Sequence, residues 1–171
     1  MTSRPEQIEQ HTMAVLVDNE PGVLARVIGL FSGRGYNIDS LTVSETVHEA
    51  HLSRITIVTT GSPMVIEQIK KQLERLVPVR EVRDLTFAGA FVERELALVK
   101  VAGKGERRLE ALRLAEAFRA KIVDVSTEHF VFEITGRTSK IESFLSIIKE
   151  LGVVEVCRTG AAAIARGSQP M

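Results

Sequence analysis

The chain has 171 residues, with Lys+Arg 22 balanced by Asp+Glu 22, 44% hydrophobic residues, no Trp and a single Cys. That length holds one ordinary domain or two of about 80 residues, and a formal net charge of zero lacks the basic excess that a nucleic-acid backbone demands of its partner. One cysteine, Cys157, cannot make an internal disulfide, no Cys/His set has zinc-site spacing, and no apolar run approaches the ~20 residues of a membrane span. The sequence therefore reads as a soluble, cytoplasmic chain whose residues 1–10 are a flexible polar lead-in rather than a signal.

Met13-Ala-Val-Leu-Val17 is an apolar run suited to a buried strand, and Asp18-Asn-Glu-Pro-Gly22 ends it with residues that favour turns and helix caps. Val23, Leu24, Val27, Ile28 and Phe31 then recur at helical spacing until Ser32-Gly-Arg-Gly35 stops the helix. Strand-like residues return from Tyr36 to Glu45 and from Leu52 to Thr60, which predicts a hairpin around Thr46–Ala50. Ser62 and Pro63 form a helix start, Ile66, Ile69, Leu73 and Leu76 share one helical face, and Val79–Phe87 reads as a fourth strand. The order β-α-β-β-α-β is the split βαβ unit of ferredoxin-like folds.

The pattern repeats. Glu95–Ala102 is a strand, Gly103-Lys-Gly105 a turn, and Glu106–Phe118 a helix with Leu109, Leu112, Ala115 and Phe118 predicted on one side. Ile122–Ser126 and Phe130–Thr135 read as strands, Thr138–Leu151 as a helix, and Val153–Cys157, continuing toward Ile164, as the closing strand. The expected fold is α+β: two tandem ferredoxin-like βαββαβ domains, antiparallel sheets with helices on one face. Residues 11–87 form the first domain, 88–94 a linker, 95–165 the second, and 166–171 a frayed tail.

Reactive groups are scarce. His48-Glu-Ala-His51 sits in a predicted hairpin turn and lacks the helical i,i+4 spacing of a zinc hydrolase, so no metal ligands are assigned. Gly103-Lys-Gly105 lacks the third glycine and the parallel sheet of a dinucleotide fingerprint. Cys157 lies among apolar residues with no base nearby in sequence and reads as a small hydrophobe. Arg107, Arg108 and Arg113 interleave with Glu106, Glu110 and Glu116, the pattern of an ion-paired solvated face. No catalytic residue is assigned.

The turn Asp18-Asn-Glu-Pro-Gly22-Val-Leu24 has a use beyond ending a strand. The unpaired N–H groups and positive dipole at a helix start accept a carboxylate. Pro21 fits the first helical turn, and Gly22 lets a ligand approach without meeting a Cβ. An α-amino acid matches the site, with its carboxylate at the helix and its ammonium on oxygens of Asp18 or Asn19. Taken locally, an ordinary capped helix explains the same residues.

The run Val15-Leu-Val-Asp-Asn-Glu-Pro-Gly-Val-Leu-Ala-Arg-Val-Ile-Gly-Leu-Phe-Ser-Gly-Arg-Gly-Tyr-Asn-Ile-Asp-Ser-Leu-Thr-Val43 closely resembles the opening of the small, regulatory subunits of acetohydroxyacid synthase, also called acetolactate synthase. The resemblance continues through Leu52-Ser-Arg-Ile-Thr-Ile57, Gln68-Ile-Lys-Lys-Gln-Leu73, Val92-Glu-Arg-Glu-Leu-Ala-Leu-Val-Lys-Val101, Ile122-Val-Asp-Val125 and Arg158-Thr-Gly160, nearly the whole chain. It implies an N-terminal ACT domain and a second, family-specific ferredoxin-like domain. It also implies no catalysis by this chain, no cofactor of its own, and a large catalytic subunit that carries thiamine diphosphate, Mg²⁺ and FAD. The family's small subunits activate that partner and confer feedback inhibition by branched-chain amino acids, valine foremost. Its effector pockets form between two ACT domains of a homodimer. Carried over by position, the effector residues are Asp18, Asn19, Pro21, Gly22, Val23 and Leu24 of the turn and Asn37 and Ile38 of the Gly-Tyr-Asn-Ile segment. Asp18 stands where many members have Glu, and Ala25 where several have Ser. Competing readings are an ACT-type sensor serving another amino-acid enzyme, or a stand-alone enzyme using His129 or Cys157.

Overall fold

Alternation along β1 (Glu9–Asp18) decides the first sheet: Met13, Val15 and Val17 face one side and Thr12, Ala14 and Leu16 the other. The computed structural model describes residues 7–47 and 50–171. Among them, β1 pairs antiparallel with β3 (Leu52–Gly61) and β4 (Val79–Asp84), and β3 pairs with β2 (Ser40–Val47), giving the order β2-β3-β1-β4. The inward residues of β1 and β3, Met13 opposite Ile57 and Val15 opposite Ile55, are closed over by α1 (Val23–Arg34) and α2 (Pro63–Glu74) through Val27, Phe31, Ile66, Ile69 and Leu73. Ser62 caps α2 by accepting the Val65 N–H, as its sequence signature predicts.

The second sheet runs β6-β7-β5-β8, from β6 (Lys121–Val125), β7 (His129–Gly136), β5 (Phe91–Ala102) and β8 (Val153–Arg158). Ala97, Val99 and Val101 lie opposite Ile134, Phe132 and Phe130, and α5 (Thr138–Ile148) covers them with Ile141, Phe144 and Ile148. Its companion helix α4 (Glu106–Ala117) buries Ala111 and Ala115. The observed architecture is thus two ferredoxin-like βαββαβ units with antiparallel sheets. By contacts the chain divides into Glu93–Ala162 and a unit holding everything up to Val92 together with Ala163–Met171.

Several sequence expectations need correction. Glu9 and Gln10 are not lead-in but paired strand, opposite Gly61 and Thr60. Tyr36 to Asp39 are outside β2, because Gly35, in the left-handed region at φ 68°, turns the chain and Tyr36 N–H returns to Phe31 O. The fourth strand stops at Asp84, whose carboxylate accepts the Thr86 and Phe87 N–H groups and starts the short α3 (Leu85–Ala88). The linker is shorter than expected, since β5 begins at Phe91. On α4 the expected Leu112, Ala115 and Phe118 do face the core, but Leu109 is exposed and Ala111 is buried in its stead. Cys157 is exposed on β8 rather than packed among apolar neighbours. The final strand β9 (Ala162–Ala165) pairs with β5 instead of prolonging β8, and residues after it belong to the first unit.

Candidate functional site

Three backbone hydrogen bonds fix the turn between β1 and α1. Asp18 N–H donates to Pro78 O at 2.8 Å, Asn19 N–H to His51 O at 2.7 Å, and Glu20 N–H to Asp18 O at 3.0 Å. The chain therefore enters the helix from a position held by the segment before β4 and by the β2–β3 turn. Pro21 follows, contributing no N–H; contrary to the sequence expectation it lies outside the helix, one residue before the Gly22 cap, and not in the first helical turn. Gly22 adopts φ 86°, ψ −5°, and a Cβ built there would meet nothing within 4 Å. Glycine is required by the left-handed backbone rather than by crowding.

No side chain caps α1, and its first turn carries no acidic residue. The helix start is flanked by Asn19, Pro21, Gly22 and Leu24, all exposed, while Val23 is buried in the core and its N–H reaches Glu20 O at 3.4 Å. A helix terminus without a capping side chain or an acidic first turn has the polarity to attract an anion. Asp18 is less open than the sequence suggests. Arg80 Nε donates to its Oδ1 at 2.8 Å, and that hydrogen bond holds the guanidinium above its ordinary pKa. Asn19, on the same flank, is exposed.

Asn37 and Ile38 lie at the other end of α1, roughly 18 Å away at 1.5 Å per residue along twelve residues. Asn37 Nδ2 donates to Asp39 Oδ1 at 2.5 Å and its carbonyl accepts the Thr59 hydroxyl at 2.6 Å. Ile38 packs against the first core. Asp39 is further held by Thr60 Oγ1 at 2.6 Å and by its own N–H on Val58 O. One chain thus presents the two groups of predicted residues at opposite ends of one helix and does not bring them together.

The sequence reading missed Arg80, His51 and Pro78, which hold the turn from segments 32 to 62 residues distant. Only His51 leaves a local mark, a positive φ of 49° in a non-glycine residue, and nothing in its sequence neighbourhood announces it. His48 lies outside the described residues. His129 is engaged within a hairpin turn, accepting or donating at 2.7 Å to both Ser126 Oγ and Asp124 Oδ2, and no group of three or more potential ligands for a metal occurs among the described residues. No helix is long and apolar enough to cross a membrane.

Comparison with known proteins identifies the family and the fold. Residues 13–81 match the model described as "AHAS small subunit-like ACT domain", and residues 94–167 match "Small subunit of acetolactate synthase". A probable acetolactate synthase small subunit of Archaeoglobus fulgidus is 47% identical over 160 residues, covering 94% of this chain and 99% of the relative. The acetolactate synthase isozyme 3 small subunit of Escherichia coli is 46% identical, covering 93% and 97%. The crystal structure of the acetolactate synthase small subunit from Thermotoga maritima superposes with a TM-score of 0.83 at 41% identity, covering 94% of this chain and 99% of that one. The chain belongs to the acetolactate synthase small-subunit family.

Proposed function

We propose that this chain is the regulatory subunit of an acetolactate synthase: it binds and activates a cytoplasmic catalytic subunit and makes that enzyme sensitive to valine. The chemistry resides in the partner, with its thiamine diphosphate, Mg²⁺ and FAD; this chain contributes a switch. The observation that carries the reading is the uncapped start of α1 behind Gly22, an anion site in the ACT-type unit where a free amino acid's carboxylate fits.

The distance between the turn and the Asn37–Ile38 segment supports a pocket shared by two copies, each lending one end of α1 to the other. Leu24 and Ile28 on α1 and Val43 on the outer strand β2 are exposed, 37–41% each, and Gly29 and Gly33 leave the helix surface open for close approach. In such a dimer the effector carboxylate sits on the α1 N–H groups, Asn19 meets the ammonium, and the aliphatic side chain lies against Leu24 of one copy and Ile38 of the other. Binding favours one arrangement of the dimer. Activity changes because the catalytic subunit couples differently to the two arrangements, and ~1–3 kcal/mol of coupling spans several-fold to hundred-fold regulation.

The test is reconstitution with a thiamine-diphosphate large subunit and measurement of acetolactate formation with and without valine. Activation together with valine inhibition supports the reading. Amino-acid binding with no effect on acetolactate formation would assign the chain to a different enzyme.

A further inference from the structure

The outward face of the first sheet is not bare. Residues of β1 and β3 that point away from the helices, Thr12, Ala14, Thr56 and Val58, are each 5% exposed or less. Ala14 packs with Leu85 and with Ala163, near the end of the chain, and Phe91, Ala165 and Met171 join the cluster. Two arginines from that face hold the returning backbone: Arg54 Nη2 donates to Ala163 O at 2.8 Å and Arg83 Nη2 to Pro170 O at 3.3 Å. Arg166 N–H closes on Ala90 O at 3.0 Å. Burial lowers the pKa of Arg54, a desolvation that the carbonyl it binds offsets. The seat beneath is itself anchored to β1, since His11 Nδ1 lies 2.7 Å from Asp84 Oδ2 and Thr12 N–H donates to Thr86 Oγ1 at 2.9 Å, with Asp84 and Thr86 flanking Leu85.

We propose that Ala163–Met171 is a regulatory strap: its seating on the outward face of the first sheet couples the effector turn to the rest of the chain. The coupling element is β1. Its outward residue Ala14 contacts the strap, and four residues later the same strand ends at Asp18 in the turn. The strap resumes the chain directly after the second unit ends at Ala162. A ligand that tightens the turn tightens β1, and a seated strap conveys the change along the backbone. This rests on the regulatory reading above only for the identity of the effector.

Ala163→Lys tests it by forcing a long charged side chain against the buried Ala14 and Leu85, which expels the strap without deleting it; Arg54→Met, removing one carbonyl contact, is the milder companion. The first readout is hydrogen exchange on the isolated chain. Exchange should rise in residues 163–170 and, with them, in 18–24; a released strap with unchanged exchange in 18–24 overturns the coupling. The second is the valine response of the reconstituted holoenzyme, where half-inhibition should move at least tenfold higher while activity without valine stays within twofold. An unshifted valine response with the strap released also overturns the proposal. A wild-type holoenzyme that valine leaves uninhibited refutes the functional reading instead, and the exchange experiment alone then decides the strap.

Discussion

Replacing Gly22 by aspartate puts a carboxylate where the effector's carboxylate is expected. Two costs must be separated. Any L-residue at φ 86° loses about 1–2 kcal/mol to left-handed strain, partly offset by about 0.3–1 kcal/mol from a negative charge at a helix N-terminus. Since a Cβ there meets nothing within 4 Å, no packing cost is added and the unit stays folded. For the ligand, a second negative charge about 4 Å away costs ~1 kcal/mol in bulk water and ~4 kcal/mol at an effective dielectric near 20. Valine binding should therefore weaken by roughly fivefold to several hundredfold. Gly22→Ala carries the strain without the charge and should retain most of the affinity. Calorimetric titration of both variants, with valine inhibition of the holoenzyme alongside, checks the sequence of effects. Inhibition of the Gly22→Asp holoenzyme at wild-type valine concentrations, or an equal loss in Gly22→Ala, would refute an anion site at this turn.

Other expectations concern the second unit. Arg158 donates to both carboxylate oxygens of Glu95, at 2.6 and 3.0 Å, and to Glu142 at 2.5 Å. With the Glu95 side chain only 4% exposed, Arg158→Met should cost about 3–5 kcal/mol by stranding a buried carboxylate. Pairing it with Glu95→Leu should recover most of that in urea unfolding followed by far-UV circular dichroism. Gly152 sits at φ 100°, where an added Cβ would collide with the Ala102 carbonyl oxygen, so Gly152→Ala should cost roughly 2–5 kcal/mol from strain and forced displacement, read in the same assay. Asp124 has a pKa held below the ordinary carboxylate range, chiefly by its hydrogen bond with His129. A depressed folded pKa means a contribution present above the unfolded value near 3.9 and lost as pH falls through the lower folded value; His129→Ala should return the Asp124 titration, followed by carboxyl NMR, to the ordinary range.

The elements were legible where one residue's neighbours in sequence are also its neighbours in space. Met13, Val15 and Val17 alternate, Ser62-Pro63 caps, and Ile66, Ile69 and Leu73 share a face, and each feature appears where expected. Misreadings cluster where contacts are distant. Nothing near Asp18 specifies Arg80, and nothing in Gly167-Ser-Gln-Pro170 reveals that Arg54 and Arg83 hold that end of the chain. On α4 Leu112, Ala115 and Phe118 of the expected stripe do pack into the second core, whereas Leu109 is exposed and Ala111 takes the buried place, a choice that hydrophobicity alone does not reveal. The turn's residues were chosen by resemblance and by helix-terminus chemistry, but their distribution over two ends of α1 is a property of the fold that no local pattern carries.

The duplicated architecture offers an internal comparison for the site. Each βαββαβ unit has a turn from its first strand to its first helix, and the two turns differ in charge at the helix start. α1 opens with Pro21-Gly22-Val23 and has no acidic residue in its first turn; α4 opens with Gly105-Glu106, and Glu106 supplies the anion from the chain itself. Behind it, Arg108 is committed inward, its Nη2 donating to Ser126 O at 2.7 Å and its guanidinium 3.8 Å from the Phe130 ring. A helix dipole already met by its own carboxylate has little left for a free one. The second unit thus carries natively, one residue along, the charge that Gly22→Asp would install in the first. The two units share a fold, and the difference at this turn, rather than the fold, is what the proposed amino-acid site in the first unit rests on.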